Sequence, residues 1–153
     1  MKIECIDNKT FKLTNGSENL GHLKYDGFFT LKAEIVIKDK NFNTIPKGIF
    51  NVEITVVLED AEIATLRMNW RGNIIISYEN GEEYILKPTG SFMSKYAIED
   101  AKGDKILVLD PDINLAKLNY NYTILSENNP DILLVLLATY ATNYYIMVMA
   151  AVL

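Results

Sequence analysis

Arg67, Arg71, Lys87 and Lys95 are the residues whose type and spacing come nearest to a site. They fall on or beside neighbouring segments of alternating character, so a sheet can gather them into a cationic strip that binds an anionic headgroup by charge. The plainer reading of the same four residues is solvation of a sheet face. Asp110-Pro111-Asp112-Ile113-Asn114 begins like a calcium loop, but Leu115 stands where a glycine is needed and Asn121 where a bidentate glutamate is needed, so a turn is expected there. Glu82-Glu83 and Glu99-Asp100 are adjacent carboxylates, and neighbours along a strand project to opposite faces and cannot share a proton. His22 has no second histidine to join it and reads as a surface or hydrogen-bonded residue, while Cys5 alternates with Ile3 and is expected in the core. No glycine-rich phosphate cradle, serine elbow or His-Glu helix motif occurs. No catalytic, cofactor-binding or metal-binding residue is therefore assigned, no cofactor is expected, and an enzyme is the least supported class.

The composition narrows the field further. At 153 residues the chain has room for one domain, expected to cover 1–153. A hydrophobic fraction of 49% with 23% charged residues excludes disorder. Fifteen Lys and Arg against 20 Asp and Glu leave a net charge of -5, which excludes nucleic acid as a partner held by net charge. One cysteine makes no internal disulfide, and one cysteine with one histidine does not close a zinc site. The N-terminus mixes charges from Lys2 and Glu4 onward and holds no long apolar run, so a cytoplasmic location is expected. The glycosylation triplets at Asn8, Asn15 and Asn121 then read as chance.

Elements that position these residues follow from periodicity. Val52, Ile54, Val56 and Leu58 alternate with Glu53, Thr55, Val57 and Glu59, a strand with one buried face. Ala64, Leu66, Met68 and Trp70 form the next apolar row, turned at Arg71-Gly72-Asn73 into Ile74 to Glu79. Asn80-Gly81 predicts a type I′ hairpin into Glu83 to Lys87. Further strands are expected at 91–99, carrying Phe92, Tyr96 and Ile98, at 105–109 and at 117–126, and upstream at 3–7, 10–14, 20–26 and 30–38. The count is about eleven or twelve strands over residues 2–126.

Beyond Asn128-Asn129-Pro130 the pattern changes. From Asp131 to Leu153 there is a single charge, at Asp131. Asn129 can cap, Pro130 suits a first turn and Asp131 favours the positive end of the helix dipole, so a helix is predicted over 130–153. A helix apolar all round must be enclosed by protein or by lipid, and about twenty such residues also span a bilayer. Asn143, Thr139 and Thr142 near its middle, and the absence of flanking Lys or Arg, favour protein. So does closure of the sheet: twelve tilted strands close at a backbone radius of about 12 Å and eight at about 8 Å, and the larger lumen needs a filler about as wide as one helix. The expected fold is mainly β, a closed antiparallel barrel of about 12 strands around a central hydrophobic C-terminal helix.

The order Ala64-Thr65-Leu66-Arg67-Met68-Asn69-Trp70-Arg71-Gly72, Tyr84-Ile85-Leu86-Lys87, Tyr96-Ala97-Ile98-Glu99-Asp100 and Ile106-Leu107-Val108-Leu109, followed by Tyr120-Asn121-Tyr122-Thr123-Ile124 and the Pro130-led helix with Leu134-Val135-Leu136-Leu137-Ala138, resembles the Tubby C-terminal-like superfamily. Within it the chain is most similar to the phospholipid scramblase and LURP-one-related branch. The resemblance implies a twelve-stranded barrel threaded by a C-terminal helix; members of that family are phosphoinositide-binding membrane tethers, scramblases or proteins of unknown role. The chain lacks the cysteine-rich and proline-rich segments and the calcium loop of scramblases, and the basic cluster of Tubby. Three roles are weighed. The first is a non-enzymatic barrel binding a phospholipid headgroup, small ligand or protein partner at its outer surface, with peripheral membrane contact left open. The second is a tail-anchored protein with 132–153 spanning the bilayer. The third is an enzyme with a loop-built site.

Overall fold

The computed structural model describes residues 1–28, 30–49 and 51–152. Twelve strands, β1 (Lys2–Cys5), β2 (Thr10–Asn15), β3 (Glu18–Tyr25), β4 (Ala33–Ile37), β5 (Lys40–Lys47), β6 (Glu53–Leu58), β7 (Ala61–Met68), β8 (Ile74–Tyr78), β9 (Glu83–Thr89), β10 (Lys95–Asp100), β11 (Lys105–Asn114) and β12 (Asn119–Leu125), precede one helix, α1 (Ile132–Val152). Each strand lies antiparallel beside its neighbours in sequence, and β12 closes the barrel on β1 through Lys2 opposite Thr123 and Ile3 opposite Tyr122. Register shifts in β2, β6 and β10 bend the wall as closure requires.

The inward row explains why the strands adopt this register. Ile3, Leu13, Leu23, Ile35, Ile54, Leu66, Ile76, Leu86, Ile98 and Leu109 are buried, one from each of ten strands, and they join Leu134 to Tyr144 of α1 in a single core. A one-residue slip in any strand would turn that strand's apolar side chains to water. Every residue from Leu134 to Thr142 is buried, so α1 has no polar face where the wall surrounds it. It packs against β3, β4, β8, β9 and β11, strands from around the circumference. At β3 the wall comes close because Gly21 has no side chain: a Cβ there would meet the Val36 carbonyl oxygen at 2.6 Å and the Leu136 side chain at 3.2 Å. The helix starts on Asp131, whose carboxylate accepts the Leu134 N–H at 3.1 Å, so Asp131 and not Asn129 is the cap. The expected helix end at Leu153 lies outside the described residues.

Several expectations are corrected. Trp70 is not on the inward row of β7, because the Asn69 side chain accepts the N–H groups of both Arg71 and Asn73 and ends the strand first. The 91–99 strand begins only at Lys95; Ser91–Met93 is a short 3₁₀ turn with Phe92 and Met93 at φ 58° and 54°. Asp110-Pro111-Asp112-Ile113-Asn114 is not a turn but the second half of β11, paired with β12. The Asn80-Gly81 hairpin forms without the type I′ geometry, since Gly81 alone has positive φ and the Asn80 side chain accepts the Glu82 N–H. The strand Lys40–Lys47 is the one the periodicity missed; its inward residues are only Phe42 and Thr44, among Asn41, Asn43 and Pro46.

Candidate functional site

In an up-and-down barrel, successive turns alternate between the two ends. The turns 16–17, 38–39, 59–60, 79–82 and 101–104 share one end, the lower, with residues 126–131 and the start of α1. The turns 6–9, 26–32, 48–52, 69–73, 90–94 and 115–118 share the other, the upper, with the end of α1. Tilted strands of six to eight residues build a wall roughly 15 to 20 Å high, while the 21 residues of α1 run about 31 Å. The last two turns of the helix therefore emerge among the upper turns, and Ala150 and Ala151 are exposed there.

The two ends differ in chemistry. All six upper turns expose at least one large apolar side chain: Ile6, Phe28, Ile49, Trp70, Phe92 with Met93, and Leu115 with Leu118. Trp70 is 88% exposed and Phe92 102%. The lower turns expose no large apolar side chain among the described residues. They carry Asp39, Glu59, Asp60, Glu79, Glu82, Asp104, Glu127 and Asp131 against Lys38 and Lys102, whereas the upper turns carry Lys9, Lys32, Arg71 and Lys117 against Asp7 and Asp26. One rim is apolar and cationic, the other acidic.

Inside the upper rim a cleft of about 700 Å³ opens between α1 and the turns around β1, β2, β3 and β12. Its walls are mostly apolar, from Phe11, Leu31, Leu118, Tyr144, Ile146 and Met147, with Lys9 at its edge. Tyr25 and Asn143 line its polar floor and are held from behind by phenols: Tyr122 Oη donates to Asn143 Oδ1 at 2.6 Å, and Asn143 Nδ2 donates to Tyr25 Oη at 3.2 Å. Tyr25 stacks on Tyr140 with ring centroids 5.7 Å apart, and Tyr140 Oη donates to the Leu31 carbonyl at 2.6 Å. Thr139 and Thr142 bond back to carbonyls of the helix itself, whereas the Asn143 amide is accommodated in α1 because two wall strands supply its partners. Burial pushes the hydroxyls of Tyr25, Tyr122 and Tyr140 well above the ordinary phenol range, so they stay protonated, Tyr122 and Tyr140 as donors and Tyr25 as the acceptor from Asn143.

The predicted cationic strip is placed as follows. Arg67 is exposed on β7 opposite Glu53. Lys87 pairs with Glu99 at 2.7 Å and Lys95 with Asp110 at 3.1 Å, so carboxylates interleave with the cations. Arg71 sits apart in an upper turn, its guanidinium 4.9 Å from the Trp70 ring centroid. The four are therefore not brought together as one anion site, although all lie in the upper half of the barrel. Cys5 is buried, which pushes its thiol up and leaves it a poor nucleophile. His22 is half-buried on β3 between Lys12 and Val36. Among the described residues no group of three or more His, Cys, Asp and Glu is placed to hold a metal ion.

Comparison with family models, with curated proteins and with solved structures finds no match to the chain.

Proposed function

We propose that the protein is a non-enzymatic binding barrel that works at a membrane surface, seating its upper rim end-on in an anionic bilayer. The observation that carries this reading is the exposed apolar side chain on each of the six upper turns, set beside lower turns that expose none among the described residues, where only Leu125 at the end of β12 is exposed nearby. An exposed apolar surface on the order of 1,000 Å² exceeds what a soluble monomer normally shows and marks an interaction surface. The charges select the partner. Lys9, Lys32, Arg71 and Lys117 around the rim suit an anionic leaflet such as the cytoplasmic one, and the acidic lower end is held away from it. Lipidic contact is also the role that the resemblance to the Tubby C-terminal-like superfamily implies. The cationic strip read from Arg67, Arg71, Lys87 and Lys95 is a weaker candidate for that contact, because Glu99 and Asp110 neutralise part of it.

The test uses the rim's own reporter, because Trp70 is the only tryptophan of the chain. Vesicles containing phosphatidylserine should float the protein and shift Trp70 emission to the blue, less so at high salt; phosphatidylcholine alone should do so weakly. No flotation and no shift at low salt would overturn the reading. Self-association at the same rim would instead appear as a dimer in sedimentation without lipid.

The tail-anchor alternative rests on Ile132–Ala151, which is long and apolar enough to cross a membrane. It requires Leu134 to Thr142 to leave the barrel core that they fill. Alkaline carbonate separates the two readings: an end-on contact is released, a spanning helix is retained.

A further inference from the structure

We infer that the cleft inside the upper rim is a seat for one hydrocarbon chain bearing an anionic head, a ligand distinct from the bilayer on which the rim rests. The volume fits. If a methylene takes about 30 Å³, close to a water's share of liquid, about 700 Å³ holds roughly 23 such groups, room for a chain of about sixteen to twenty carbons and part of its head. The walls fit as well, since Phe11, Leu31, Leu118, Tyr144, Ile146 and Met147 offer apolar atoms from one strand, two upper turns and one helix. Its floor is dry chemistry: Asn143 is already engaged by Tyr122 and Tyr25, so little polar capacity is left to demand a hydrated ligand.

The mouth supplies the head's partners. Lys9 lies at the edge with Asn8 and Asn119, and Asn119 Nδ2 donates to the Asn8 carbonyl at 3.1 Å, tying the β11–β12 turn to the β1–β2 turn. This strap keeps one side of the opening in place while Phe28 and Leu118 flank it on the outside. A chain resting in the cleft would have its carboxylate or phosphate beside the Lys9 ammonium and its tail along the emerging turns of α1. Continuity with the apolar rim lets such a chain pass from a leaflet into the seat without crossing water.

The probe is cis-parinaric acid, an eighteen-carbon fatty acid that brightens in apolar surroundings, added to the intact protein without vesicles. A saturable rise is expected, with displacement by palmitate or by lysophosphatidylcholine. Whichever competes better identifies a free acid or a lipid tail as the source, and competition by neither overturns the proposal. Ala150 lines the cleft and is exposed, so Ala150→Trp fills it without disturbing the core and should weaken binding about tenfold or more at an unchanged melting temperature. Lys9→Gln should weaken palmitate but not hexadecanol. Trp70→Ser should leave parinarate affinity within about twofold while vesicle binding falls, which separates this seat from the docking role. Unchanged binding by Ala150→Trp, or equal loss of both activities in Trp70→Ser, would overturn the cleft as the site.

Discussion

Replacing Asn143 by leucine tests the placement of α1 at its one interior amide. The amide accepts from Tyr122 on β12 and donates to Tyr25 on β3, so the substitution strands two buried phenol hydroxyls at once. Each unsatisfied buried hydroxyl costs about 1 to 3 kcal/mol, which puts the loss at about 2 to 6 kcal/mol, a large part of a small domain's stability. Tyr122→Phe alone leaves only Asn143 Oδ1 without its donor and should cost about 1 to 3 kcal/mol. In the double variant the Tyr122 hydroxyl is gone, so the two losses should not add, and a coupling of about 1 kcal/mol or more is expected. Urea unfolding of the four proteins, read by circular dichroism at fixed slope, measures this cycle. Additive losses, or an Asn143→Leu variant as stable as the parent, would refute a helix threaded between β3 and β12.

Three further outcomes follow from the same geometry. Leu136→Asp places an unpaired carboxylate in the fully buried stretch of α1 and should abolish soluble expression, checked by yield and melting temperature beside Leu136→Met, which should be tolerated. Trp70→Ser should leave stability within about 0.5 kcal/mol, because its ring is in water; if about half of some 200 Å² of ring enters the interface, vesicle affinity should fall by about 2.5 kcal/mol, roughly 60-fold. Burial raises the folded-state pKa of Tyr25, Tyr122 and Tyr140 above the ordinary value of 10.0, so the folded protein holds more phenol protons than the unfolded chain above that pH. Their contribution is fully present below about pH 10 and should be lost as pH rises beyond it, with tyrosinate absorbance appearing for these three only as the barrel unfolds.

The barrel was legible in the sequence wherever one face of a strand is buried, as in Ile54 and Val56 or Leu86, since alternation there is the direct imprint of an inside and an outside. It was illegible where that imprint is thin. Lys40–Lys47 sends only Phe42 and Thr44 inward, and β11 runs on through Pro111 because its partner β12 supplies the pairing that propensity denies. Trp70 and Phe92 misled for a different reason: each continues an apolar row by spacing, but the Asn69 side chain and the left-handed backbone at Phe92 end the strand geometry there. The cationic residues drew the reading because charge is easily seen in a sequence, yet the signal that organises the upper mouth is apolar. It was present turn by turn in Phe28, Ile49, Trp70, Phe92, Leu115 and Leu118. Seeing it required knowing that every second turn of a meander meets at the same end. The phenol floor could not be seen at all, because Tyr25, Tyr122 and Asn143 are more than twenty residues apart or on opposite flanks of the barrel seam.

The chain order of this architecture bears on how it can be made. β1 needs β12 as its second neighbour, and the element that fills the lumen is synthesised after all the strands. A nascent chain on the ribosome therefore holds an open ribbon with two bare edges and a greasy concave face, and no partial product is a smaller version of the finished one. Such long-range pairing is slow to form and prone to aggregate while it waits. A holding chaperone during translation would be expected to raise the recovered yield more than any slowing of synthesis, because pausing prolongs the stage at which the plug has yet to arrive.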